Sequence, residues 1–250
     1  MKTIRVLSAL LSYPTPEMTA AGEEFKAALA SENVLSADVR RELESLIDDI
    51  AARDLYESQE RYVLLFDRTR SLSLHLFEHV HGESRARGQA MVDLIRVYEE
   101  AGFSPVATEL PDYLPLFLEY AATRDPREAI ELVGQPGHVF AALRERLLKR
   151  QSPYEAVFAA LVSLSAAVLD EEALAALRAE PDPEPDDLEA LDASWEEEEV
   201  RFGPGAAVAD CGKDGLAAKL RQARRPAPGL APVPATGPRT IVTTPLSARS

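Results

Sequence analysis

Residues 36–52 read SADVRRELESLIDDIAA, and the spacing inside that stretch decides the fold class. Val39, Leu43, Leu46, Ile47 and Ile50 fall at i, i+4, i+7, i+8 and i+11, one apolar stripe of an α-helix. A half-buried strand would alternate with a period of two, and this stretch does not. Ser36 stands where an N-cap belongs. The same signals repeat outward from here. Asp54 with Glu57 forms a capping-box pair that opens a helix carrying Leu55, Tyr62, Leu65 and Phe66. Met91, Leu94, Ile95 and Tyr98 line another helix, closed by Gly102. Asp125-Pro126-Arg127-Glu128 and Ser152-Pro153-Tyr154-Glu155 each combine a cap, a proline at the first helical position and a reciprocal glutamate. Val157, Leu161, Leu164 and Val168 then form the stripe of a last long helix. At the other end, the run Val6–Leu11 is too short to span a bilayer and predicts a first helix ended by Pro14. No strand pattern precedes residue 200. The expectation is an all-α protein, a single compact domain of about nine or ten helices over residues 1–178.

Composition agrees. The chain is 46% hydrophobic but only 6% aromatic, so its apolar mass is Ala, Leu and Val, which suits helix packing better than a sheet. A net charge of −15 lacks the basic footprint of a nucleic-acid binder. The charge is uneven: residues 1–200 carry 19 Lys and Arg against 40 Asp and Glu, and residues 201–250 carry 8 against 2. Residues 180–199 hold eleven acidic side chains and no Lys or Arg, which predicts a solvated acidic linker over 179–202 with a short helix around Leu188–Glu199. Residues 203–250 hold six Gly and seven Pro, which predicts a disordered or extended basic tail. Cys211 is the only cysteine, so there is no disulfide framework, and a reducing, cytoplasmic compartment fits.

Two constellations carry chemistry. The first spans Tyr62, Phe66 and Asp67, then His75-Leu76-Phe77-Glu78-His79-Val80-His81, Glu83 and Arg85. His75 and His79 are four apart, and His75-x-x-Glu78-His79 matches a zinc-hydrolase string in which two imidazoles bind the metal and the glutamate is general base. Catalytic zinc needs a third ligand, and nothing downstream nominates one. A bland alternative makes Leu74, Leu76, Phe77 and Val80 core, with the polar residues at helix ends. The third reading is a peptide-binding surface: Tyr62, Phe66, Leu76 and Phe77 support a groove whose polar rim is Asp67, Glu78, His79, His81, Glu83 and Arg85. The second constellation is Glu109-Leu110-Pro111-Asp112-Tyr113-Leu114-Pro115, a helix start in which Asp112 is placed to cap its own helix. Glycine-rich phosphate loops and a GxSxG elbow are missing.

The stretch from Tyr62 to Tyr98, with FDRTRSLSLHLFEHVHGESRARGQAMVDLIRVYEEAGF at its heart, resembles the NarJ family of nitrate reductase molybdenum-cofactor assembly chaperones. The likeness continues through ELPDYLPLFLEY at 109–120 and returns at WEEEEVRFG near 195–203, covering roughly 200 residues. It implies a single all-helical domain that is not an enzyme and carries no cofactor or metal of its own. It implies binding of the N-terminal segment of the apo catalytic (alpha) subunit of nitrate reductase, for molybdenum-cofactor and iron–sulfur insertion and membrane-complex assembly. Molybdenum-cofactor biosynthesis proteins are further expected partners, and the chaperone a monomer or weak dimer. A different molybdoenzyme client is the alternative within the superfamily. That superfamily often carries Glu-x-x-Asp-His; here Glu109 and Asp112 match but Tyr113 replaces the histidine, so no role tied to the histidine carries over.

Overall fold

The helix over Glu155–Leu164 is apolar on nearly every side, and a helix of that kind has to be surrounded. In the computed structural model it is. The structure describes residues 1–68, 70–81, 85–103, 109–165 and 170–183, with the Arg85 side chain left aside. Residues Met1–Glu197 and Glu198–Ser250 separate as two units, and every described residue lies in the first.

Twelve α-helices stand among the described residues: α1 (Lys2–Leu10), α2 (Pro16–Ala20), α3 (Gly22–Glu32), α4 (Ala37–Ala52), α5 (Leu55–Tyr62), α6 (Leu76–His81), α7 (Arg85–Glu100), α8 (Leu114–Thr123), α9 (Pro126–Gly134), α10 (Gly137–Lys149), α11 (Glu155–Leu164) and α12 (Glu171–Ala179). The fold is all-α as its periodicity predicts. The helix number exceeds nine or ten because α2 and α6 are only five and six residues, too short for a stripe to register. No strand occurs among them, only an isolated bridge between His75 and Tyr113.

The core has two central pairs. α10 packs on α11, and α1 packs on α8. Phe140, Leu143 and Leu147 of α10 meet Val157, Phe158 and Leu161 of α11, all essentially without solvent exposure. α4 covers α11 with its predicted stripe: Leu43, Leu46, Ile47 and Ile50 are buried, and Val39 packs at the edge. α9 and α12 close the remaining sides against α8 and α10.

Most predicted helix ends hold. Ser36 Oγ accepts from Val39 N–H, Asp54 from Tyr56 N–H, and Asp125 from both Arg127 and Glu128 N–H. The reciprocal glutamates turn elsewhere: Glu57 toward Arg53, and Glu128 onto Arg124. The expected cap at Ser152 fails. Gln151 sits in the left-handed region at φ 51°, its N–H bonding Leu148 O and Ser152 N–H bonding Leu147 O, which is the Schellman ending of α10. The Ser152 N–H closes α10 while its Oγ caps no N–H of α11, and α11 starts through a tight turn in which Glu155 N–H bonds Ser152 O. Glu155 pairs with Arg144. α7 closes by the same device, with Gly102 at φ 82°, where glycine carries no Cβ penalty.

At the start of the acidic segment Glu180 stays half exposed, while Asp182 is largely covered. Asp182 accepts from Arg150, Ser71 and Lys149, and Arg146 reaches Glu180. Val168, Trp195, Cys211, the expected short helix around Leu188–Glu199 and the expected tail lie outside the described residues.

Two substitutions test the helix ends. Asp125→Ala removes a side-chain cap holding two N–H groups and should cost about 1 kcal/mol. Gln151→Gly relieves a left-handed residue and should gain on the order of 0.5–1 kcal/mol. Urea unfolding midpoints, at unchanged slope, report both.

Candidate functional site

The first six residues after Arg70 decide the site. A 3-10 turn at Arg70–Leu72 leads into Ser73 and Leu74, and α6 begins at Leu76. A helix start leaves N–H groups without partners. Here they are met from 35 residues away. Asp112 O accepts from Leu76 N–H at 3.1 Å, and Asp112 Oδ2 accepts from Phe77 N–H at 3.0 Å. Leu114 N–H returns a bond to Leu74 O at 2.8 Å. Asp112 therefore caps α6 and not its own helix, the reverse of the expectation. α8 starts after Tyr113 with no side-chain cap and with Pro115 in its first turn.

Asp112 is 0% exposed. Its other oxygen faces His75 Nδ1 at 3.3 Å, and this contact holds the imidazole above its ordinary value against the opposing effect of burial. The His75 ring leans on Tyr113, centroids 5.5 Å apart. Tyr62 donates its single hydroxyl proton to Leu11 O at 2.9 Å, so the 2.9 Å contact between the two phenols requires Tyr113 to donate to Tyr62. Burial pushes both phenols up, so both stay protonated. Tyr62 continues a run of rings, Tyr13–Tyr62–Phe66–Tyr154, spaced 5.1–5.6 Å. α5 widens into a π-helical turn at Val63–Asp67, which buries Leu65 and Phe66 and leaves Asp67 at the surface. Desolvation raises the Asp67 carboxyl and His75 pulls it back.

On α6 itself, Leu76 is core and Phe77 is half-buried with its ring against His81. Glu78 ties α6 to α7 through Arg87 at 3.1 Å. His79 Nε2 donates to Ser73 O at 2.8 Å, and burial lowers the ring's proton affinity, so it is a neutral imidazole with its proton on Nε2. His75 immediately precedes the helix and His79 lies inside it. Each is committed to a different partner, and among the described residues no three His, Cys, Asp or Glu side chains stand close enough to hold a metal ion.

α7 is the least covered of the long helices and packs mainly on α6. Arg87 holds one end. At the other, Tyr98 is buried, stacks on Tyr120 at 4.8 Å and donates to Pro111 O at 2.8 Å. Of the predicted stripe only Tyr98 is buried; Met91, Leu94 and Ile95 are half-open. Five large hydrophobics, Val80, Val92, Val97, Phe103 and Leu110, are exposed in this part of the chain.

The structure thus joins the two constellations into one assembly of Tyr62, His75, Phe77, Asp112 and Tyr113, with Glu78 and His81 beside it. Phe66 and Leu76 support it from the core. Glu109 is exposed at its edge. Glu83 and the Arg85 side chain lie outside the described residues. The residues missed by spacing alone are Ser73, Arg87 and Arg146. Only Arg146 left a signal: it interrupts the apolar stripe between Leu143 and Leu147, and it is 6% exposed.

A family model described as nitrate reductase delta subunit matches residues 32–160, a span that includes both constellations. The chain is 40% identical over 218 residues to the nitrate reductase molybdenum cofactor assembly chaperone NarJ of Escherichia coli strain K12, covering 87% of this chain and 90% of that one. It is 38% identical over 205 residues to a probable chaperone of that kind, NarW of the same strain, covering 81% and 84%. It is 33% identical over 152 residues to the probable NarJ of Bacillus subtilis strain 168, covering 61% and 82%.

The two histidines should mark stability with opposite signs. His75 is raised, so its contribution is complete below the unfolded value of about 6.5 and is lost as pH rises through the folded value. His79 is lowered, so its contribution is complete above about 6.5 and is lost as pH falls through the folded value. Melting temperatures across the neutral range should show the deficit of His75→Gln largest in acid and that of His79→Gln largest in base. Asp112→Ala strips Phe77 N–H and His75 of a buried partner and should cost about 1–3 kcal/mol at neutral pH.

Proposed function

The chain belongs to the nitrate reductase delta subunit family, and on that premise we propose that it is a system-specific assembly chaperone for a respiratory nitrate reductase. It binds the apo catalytic (alpha) subunit at its N-terminal segment and holds it while molybdenum cofactor and iron–sulfur cluster are inserted and the membrane complex assembles. The chaperone works in the cytoplasm and makes or breaks no bonds. No helix among the described residues is long and apolar enough to cross a membrane.

The observation that carries this reading is the half-open apolar stripe of α7 beside the polar edge of α6. Met91, Leu94 and Ile95 offer apolar surface at helical spacing, with exposed Val92 and Val97 on the same helix. An amphipathic client segment would lay its apolar residues on such a face. Glu78, His81, Asp67 and Glu109 supply carboxylates and an imidazole to orient its polar groups. The excess of acidic residues in 1–200 steers a basic segment toward the body. Molybdenum-cofactor biosynthesis proteins are further candidate partners, and the chaperone acts as a monomer or weak dimer.

Calorimetric titration with a peptide from the N-terminus of the same organism's nitrate reductase catalytic subunit tests the proposal. Saturable one-to-one binding is expected. Val92→Glu and Glu78→Gln should each weaken it about tenfold, roughly 1.4 kcal/mol, with little change in melting temperature because Val92 is exposed and Glu78 forms a single ion pair. Binding that both variants leave untouched would move the client elsewhere on the protein.

A further inference from the structure

The α6–α7 surface is joined to a second set of buried charges on the far side of the 70–75 segment. Arg146 of α10 donates to Ser71 O at 2.6 Å and to Leu177 O at 2.5 Å, and reaches Glu180 Oε2 at 3.4 Å. Arg150, one turn on, donates to Asp182 Oδ1 at 2.5 Å, to Pro183 O at 2.8 Å and to Arg146 O at 3.2 Å. Both guanidinium side chains are almost wholly buried, at 7% and 4% exposure. Asp182 also accepts from Ser71 Oγ at 2.7 Å and from Lys149 Nζ at 3.3 Å.

Two guanidinium groups buried one helical turn apart require anions, because a buried charge without a partner costs several kcal/mol. The sequence supplies them at the start of its acidic run. Asp182 touches Arg150 and Ser71 together. Burial alone would raise its carboxyl, and the bonds from Arg150 and Ser71 overcome this and hold it below the ordinary range.

The consequence runs through Ser71. Its carbonyl is held by Arg146 and its hydroxyl by Asp182. Two residues later, Ser73 accepts from His75 N–H and from His79 Nε2. Leu74 O accepts from Leu114 N–H, and Asp112 caps Leu76 and Phe77. The segment 71–77 is therefore fastened at one end by residues 180–182 and at the other by Asp112.

We propose that Asp182 is a positioning residue for the client-binding surface: residues 180–183 form a strap that locks Ser71 onto α10 and so fixes where α6 begins. This rests on the reading that the α6–α7 surface takes the client. The strap acts at a distance from that surface. Its release loosens α6 and its hold on α7 through Glu78 and Arg87, while the α10–α11 core stays intact.

The test is amide hydrogen exchange on the full chain, read at Ser73, Leu76, Phe77 and Leu114, whose N–H groups bond Arg70 O, Asp112 and Leu74 O. Asp182→Asn should speed exchange at these amides about tenfold or more, as a local opening does. Amides of α11 should stay protected. Asp182→Glu should restore most of the protection, and Glu172→Gln, an exposed acidic residue of α12, should change nothing. If Asp182→Asn does not fold, Ser71→Ala removes one bond to the strap and should give a smaller effect of the same pattern. Client peptide affinity should weaken about tenfold in Asp182→Asn. Unchanged exchange at these four amides overturns the proposal. So does faster exchange with full peptide affinity, in a protein whose Glu78→Gln variant does lose affinity. If neither variant loses affinity, the client reading of the surface fails, and the exchange data alone decide the strap.

Discussion

A carboxylate with no exposed surface has to be answered on both oxygens, and Asp112 is answered by the start of another helix and by a histidine. That single group fixes three things. It accepts from Phe77 N–H, beside the Leu76 N–H bond to its own backbone carbonyl, and so starts a six-residue helix. It sets the orientation of His75, and through the bridge at Tyr113 it brings the 109–113 loop against the end of α5.

The same device recurs across the molecule. Glu32, at the end of α3, accepts from Lys2 and Thr3 N–H and so caps α1. Arg146 satisfies carbonyls at Ser71 and Leu177, on two different elements. In each case a charged side chain satisfies backbone groups that its own element does not own. Charge-assisted hydrogen bonds of this kind are stronger than neutral ones. They also break cooperatively, because losing the partner leaves a buried polar group uncompensated. The core of α1, α4, α8, α10 and α11 is a matter of apolar area. The arrangement of α6 and α7 on that core is a matter of a few ions.

That division fits the client-holding role proposed for the chain. The central helices are sealed, while α7 is held at its two ends by one ion pair and one tyrosine, with a half-open apolar stripe between. An element with few buried contacts belongs to the low-stability end of a fold, where binding surfaces that move are found. Tyr113 serves as a hydrogen-bond donor to Tyr62 and as a ring against His75.

The sequence by itself determined the helical class, because a 3.6-residue apolar period and local caps depend only on neighbours along the chain. Ser36, Asp54 and Asp125 cap where their spacing says they should, and the stripe of α4 is buried as written. It also placed the two constellations and the family likeness. Only the tertiary structure decided what those residues do. Ser152 reads as a cap, yet its N–H closes α10 and its Oγ caps nothing, and Asp112 reads as the cap of α8 until α6 arrives beside it. His75 and His79 are four apart in sequence but lie on opposite sides of a helix start, so their pairing as ligands dissolves. Asp182 reads as one more solvated acid of the run until Arg150, just past the end of α10, is found buried against it. For Asp112, the two histidines and Asp182 the physical reason is common: a polar group takes the strongest partner within reach, and reach is set by packing between distant segments, which no local pattern encodes.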